Sequence, residues 1–127
     1  MTHMMKDLVA DARGRVDTVS PHEAAKAAQN ANLILDVREL AELEKDGRVK
    51  GALHIPRGIL ETRADETADT AEARLTEIRD LGRVHVLCAS GGRAALAADT
   101  LKRMGYNADI IEGGLGGWKA ADLPLDG

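Results

Sequence analysis

Three short runs constrain the fold of this chain more than any other feature. Leu33-Ile34-Leu35-Asp36-Val37, Arg83-Val84-His85-Val86-Leu87 and Asp109-Ile110-Ile111 are too short for ordinary helices. The first is also too continuously apolar for a strand with one wet face, and the second reads as a central strand. Runs of this kind belong to strands buried on both sides, as in parallel sheets covered by helices. Stretches of helical periodicity lie between them. The pattern predicts an α/β fold: a five-stranded, mainly parallel sheet flanked by helices. Residues 16–19 and 52–55 supply the other two strands, and Pro56 stops the second. The 127 residues suit one domain with one core. No repeat or linker divides them, so one domain is expected over 1–127, with its core at about 16–125.

Helix signals fill the gaps. Residues 4–13 read as a short helix ending at Gly14. Ser20-Pro21-His22-Glu23 is a helix start, with Ser20 as cap, Pro21 in the first turn and Glu23 completing a capping box. Residues 38–45 predict a short helix with Leu40 and Leu43 inward, closed by Gly47. The segment 57–80 is dense in charge, four arginines against seven acids, and its stretch 65–72 reads as a solvated face. Within it Ala71, Leu75 and Ile78 fall at helical spacing, and Gly82 makes a stop. Ala94, Ala97, Ala98, Leu101 and Met104 form a helix stripe that ends at Gly105.

Composition excludes several classes of function. One Trp, one Tyr and no Phe leave almost nothing for bases to stack on. A net charge of −4 lacks the surplus of Lys and Arg that nucleic-acid binders carry. The single cysteine, Cys88, forms no internal disulfide and no multi-thiolate zinc site. The first residues have no signal-peptide core, and no run of about 18 apolar residues spans a membrane. The expected compartment is the cytoplasm, where a lone thiol stays reduced.

The chemistry concentrates in Cys88-Ala89-Ser90-Gly91-Gly92-Arg93, between a buried strand and a helix. Ligands of parallel sheets bind at the carboxyl ends of strands. A glycine-rich turn there points backbone N–H groups inward, and the following helix adds the positive end of its dipole. A cysteine in such a cradle ionises more easily, and the thiolate is the nucleophile. The plain alternative is a buried structural thiol. The glycines and Arg93 favour chemistry.

Four motifs resemble those of the single-domain rhodaneses, a family of sulfurtransferases. They are Leu35-Asp36-Val37-Arg38, Gly51-Ala52-Leu53-His54-Ile55-Pro56, the loop from Cys88 to Arg93, and Glu112-Gly113-Gly114 followed by Trp118. The resemblance runs over about 16–125, with the motifs in the family's order. It implies a sulfane sulfur taken from thiosulfate or a persulfide donor onto Cys88. The persulfide is then held by the N–H groups of Ala89, Ser90, Gly91, Gly92 and Arg93, and passes to cyanide, a thiol or a protein acceptor. No metal or organic cofactor is implied. Four residues separate Cys88 from Arg93, where the cysteine phosphatases place five, so phosphatase or arsenate reductase chemistry is disfavoured. Ala89 and Ser90 are neutral where many thiosulfate-using members carry a basic residue. Arg93 is then the only charge within the loop, and Arg57 and Arg63 are candidates for more. The competing classes are a non-enzymatic binding module and a dedicated carrier of persulfide between proteins.

Other residues receive lesser roles. Asp36 and Arg38 are expected to support the pocket wall, chiefly by bonding one another. His54 reads as a hydrogen-bonding part of its strand end, and His22 and His85 as non-catalytic. Trp118 anchors the last helix.

Overall fold

The computed structural model describes residues 2–126. Its strands in chain order are β1 (Thr18–Val19), β2 (Leu33–Asp36), β3 (Arg48–Val49), β4 (Leu53–His54), β5 (Arg83–Leu87), β6 (Asn107–Ile111) and β7 (Leu125–Asp126). Its α-helices are α1 (Met5–Arg13), α2 (Pro21–Ala27), α3 (Leu40–Asp46), α4 (Leu60–Ala64), α5 (Ala73–Thr76), α6 (Gly92–Arg103) and α7 (Gly114–Ala120). Five strands form one sheet in the order β1-β6-β5-β2-β4. Every neighbouring pair in it is parallel. The expected sheet is therefore present, with β5 at its centre.

The period-two geometry of strands sorts the core into two layers. Leu33, Leu35, Val84, Val86, Ala108 and Ile110 face Leu60 and Ala64 of α4 and Ala94, Ala95, Ala97, Ala98 and Leu101 of α6. Ile34, Leu87 and Ile111 face Ala24 of α2 and Leu115 and Trp118 of α7. The alanines of α6 are fully buried, and their small side chains let the helix lie close on the sheet. At the head of α2, Ser20 Oγ accepts from the Glu23 amide at 3.1 Å, and Glu23 Oε1 accepts from the Ser20 amide at 3.2 Å. This is the expected capping box.

Two expectations fail for local reasons. Leu40 is 51% exposed rather than inward. Glu39 caps α3, so Leu40 opens the helix and Leu43 alone of the pair reaches the core. The helical spacing of Ala71, Leu75 and Ile78 is only partly realised in the segment 57–80. The segment breaks into a 3₁₀ turn (Arg57–Ile59), α4, α5 and a second 3₁₀ turn (Glu77–Asp80). Asp65 Oδ1 accepts from Thr67 N and Oγ1, and this turn stops α4. Ala71 precedes α5, while Leu75 is buried. Finally, β3 and β7 make a separate antiparallel ribbon that the sequence pattern does not announce.

Candidate functional site

Two neighbouring strand ends build the site. The first is the end of β5. Alternation continues past Leu87 and puts Cys88 in the layer beneath α6, with Val84 and Val86. The chain then turns through Ala89, Ser90 and Gly91 into α6. Gly91 adopts φ +122°, a conformation that favours glycine. The turn aims two backbone donors at the sulfur. Gly91 N–H donates to Cys88 Sγ at 3.0 Å, and Ala94 N–H donates at 3.3 Å. Ala94 lies one residue beyond the stretch that sequence reasoning marked. Cys88 itself is 1% exposed, while Ala89 and Ser90 are exposed.

The Glu112-Gly113-Gly114 turn fixes this loop from below. Leu115 N–H donates to the Cys88 carbonyl at 2.8 Å. Gly114 sits at φ +57°, and a Cβ there would collide with the Cys88 and Ala89 carbonyls. Glycine at this position thus lets two backbones meet.

The second strand end is that of β2. Val37 N–H donates to the Leu87 carbonyl, which joins it to the first. Asp36 and Arg38 are each 1% exposed. Asp36 accepts from the Arg38 amide at 3.0 Å and from Arg38 Nη2 at 2.7 Å. Arg38 Nη2 also donates to the Gly47 carbonyl, and His54 Nε2 donates to the Arg38 carbonyl at 2.7 Å. These three residues tie β2, α3 and β4 together. None of them hydrogen-bonds the thiol.

Arg93 has a partner that local spacing does not reveal. Its two terminal nitrogens grip the Glu42 carboxylate at 2.6 and 2.9 Å, a bidentate pair between α6 and α3. The hydrogen bonds from Arg93 hold the Glu42 carboxyl below the usual glutamate range. The same bonds, with the nearby charges of Glu42 and then Cys88, raise the Arg93 value. Arg57 is engaged elsewhere, donating to Glu61 and Thr100. Arg63 donates to the Thr70 carbonyl and shares a cavity of about 220 Å³ with His54, Ile55 and Glu72.

Other chemistry-bearing groups lie apart. By alternation along β5, His85 occupies the layer opposite Cys88. Its Nδ1 bonds Asp109 at 2.6 Å and its Nε2 is buried without a partner. A cleft of about 450 Å³ on that same side is lined by Ala25, Ala28, Ile34 and Trp118, away from the thiol. Among the described residues, no group of three His, Cys, Asp or Glu is placed to hold a metal ion. No helix among them is long and apolar enough to cross a membrane.

Comparison with known proteins agrees with this geometry. The Rhodanese-like domain family matches residues 20–121. The protein YrkF of Bacillus subtilis (strain 168), named as a sulfur carrier, is 38% identical over 73 residues. That match spans 58% of this chain and only 33% of YrkF. The polysulfide-sulfur transferase homodimer of Wolinella succinogenes superposes with a TM-score of 0.73 at 29% identity, over 95% of this chain and 85% of that one. RPA3614 of Rhodopseudomonas palustris CGA009, described as of unknown function and a possible tyrosine phosphatase, superposes with a TM-score of 0.90 at 30% identity. The shares covered are 99% and 96%.

Proposed function

Because the chain belongs to the rhodanese-like family, we propose that it transfers a sulfane sulfur through a persulfide on Cys88. The donor is thiosulfate or another persulfide, and the acceptor is cyanide, a low-mass thiol or a protein cysteine. The observation that carries this reading is the pair of amides, Gly91 and Ala94, donating to Sγ. Such donors stabilise negative charge on sulfur, whether thiolate or persulfide.

The proposed transfer has two displacements. The Cys88 thiolate attacks the outer sulfur of the donor. A new S–S bond forms, the donor's S–S bond breaks, and its electron pair leaves with sulfite or the donor thiolate. The acceptor then attacks the outer sulfur on Cys88, and the electron pair of the broken bond returns to Sγ. With no second cysteine in the chain, the sulfur leaves to an external acceptor. The nearly complete burial of Cys88 favours a donor that presents one slender sulfur atom over a bulky ester.

A second reading, a carrier serving one protein acceptor, is favoured by the likeness to YrkF. Phosphoryl transfer is disfavoured, because four residues separate Cys88 from Arg93 and the Arg93 guanidinium grips Glu42. The test is thiocyanate formation from thiosulfate and cyanide. The wild type should turn over, and Cys88→Ser should lose at least about a thousandfold. Sulfur loading without turnover would select the carrier. A Cys88→Ser variant as active as the wild type would exclude the mechanism.

A further inference from the structure

The loop lacks a free cation at the place where an anionic donor needs one. Arg93 is paired with Glu42, and Ala89 and Ser90 are neutral. A cation arrives instead from α1, which precedes the residues matched by the family. One face of that helix lies on the loop. A Cβ built on Gly92 would stand 3.3 Å from Met5 Cε and 3.7 Å from Val9 Cγ2, and one built on Gly91 would stand 2.7 Å from Arg13 Nη2. Met5, Val9 and Arg13 are spaced by four, so they share a face by helical geometry. The Arg13 guanidinium therefore lies directly over the residue whose amide bonds Sγ.

The helix is fixed in that position. Arg15 donates to both carboxylate oxygens of Asp99 on α6, at 2.9 and 2.8 Å, and Lys102 Nζ donates to the Arg15 carbonyl. Arg15 is thus committed to anchoring. Arg13, two residues earlier, has no carboxylate within ion-pairing distance among the described residues. It is exposed and lies against Gly91 of the loop.

We propose that Arg13 is the anion-binding side chain of this site, which holds the sulfonate end of a dianionic donor of the thiosulfate class. The assignment rests on the sulfur-transfer reading above. The thiolate takes the outer sulfur, the donor's S–S bond breaks, and the electron pair leaves on sulfite. Arg13 faces the oxygens that gain charge in that step, which a planar donor fork suits. An alkyl persulfide carries no such oxygens and has no use for Arg13.

The test compares two donors on the full chain. One is thiosulfate. The other is the persulfide of 2-hydroxyethanethiol, which has neither sulfonate nor carboxylate. Sulfur loading on Cys88 is followed by intact mass for the wild type, Arg13→Met and Arg13→Lys, with thermal midpoints as a control on folding. Arg13→Met should raise KM for thiosulfate about tenfold or more, with loading from the alkyl persulfide unchanged within about twofold. Arg13→Lys should restore part of the loss, because it keeps the charge without the fork. Salt should weaken thiosulfate use by the wild type and not by Arg13→Met. An equal loss with both donors would reduce Arg13 to a packing role and overturn the assignment. Unchanged thiosulfate use would overturn it as well. A wild type that loads from the alkyl persulfide but not from thiosulfate would overturn the donor class alone. A wild type that loads from neither would overturn the sulfur-transfer reading, and this assignment with it. Should Arg13→Met not fold, Arg13→Lys and the salt dependence of the wild type decide the matter.

Discussion

The ends of β2 and β5 are neighbours in one parallel sheet, and each carries a buried reactive side chain followed by an arginine. They are finished in opposite ways. At β2, Asp36 is closed off, with its oxygens taken by the Arg38 amide and guanidinium. At β5, Arg93 turns away to Glu42, and among the described residues Cys88 Sγ keeps two backbone donors. The difference separates scaffold from site. A buried carboxylate with every bond satisfied is finished chemically and fixes the chain around it. A thiolate held by amide donors alone keeps lone pairs that can form a bond to another sulfur.

The comparison predicts that damage at β2 appears as lost stability and damage at β5 as lost transfer. The largest stability effect belongs to Asp36→Ala. It strands the buried Arg38 charge and should cost about 3–5 kcal/mol in urea unfolding. A cost below about 1 kcal/mol would show that the pair does not hold β2 in place. Gly114→Ala comes next. It adds a side chain at φ +57° against the Cys88 and Ala89 carbonyls. Stability should fall by about 1–3 kcal/mol. Transfer by the fraction still folded should fall about tenfold to a hundredfold, because the loop is displaced. Full activity in that variant would mean that the Gly113-Gly114 turn does not position the loop.

The smallest effect belongs to Glu42→Gln. The pair it breaks is about a third exposed, so the cost should stay near or below about 1 kcal/mol. Its pH dependence has a definite sign. The Glu42 carboxyl is held below its ordinary value of 4.5 in the folded chain. The contribution of the pair is complete above that ordinary value and is lost as pH falls through the depressed one. Thermal midpoints of the variant should therefore lie below those of the wild type at neutral pH and converge with them in acid. A gap that persists in acid would assign the loss to packing instead of charge.

Strands and loop were legible in the sequence because their signals are local. A strand buried on both faces shows as a continuous apolar run, and β2 did so. The capping box of Ser20 and Glu23 lies within one turn of chain. The glycines and Arg of the cysteine loop lie within six residues. What was not legible depends on distant partners. Glu42 meets Arg93 across two helices, and Arg13 meets Gly91 only because Arg15 and Asp99 fix α1 on α6. The two-residue strands β3 and β7 are too short for alternation to show, and they pair across most of the chain. Ala71, Leu75 and Ile78 fall at helical spacing, yet α5 covers only Ala73–Thr76 and a 3₁₀ turn carries Ile78.

The central claim is that Cys88 carries a transferable sulfur in a cradle of backbone amides. The most direct test loads the purified full chain with thiosulfate or an alkyl persulfide, removes the excess donor and weighs the intact protein before and after cyanide. The account predicts a gain of one sulfur atom, its complete loss on cyanide with one thiocyanate released per loaded chain, and no gain in Cys88→Ser. No gain from either donor, or a gain that survives in Cys88→Ser, would contradict it.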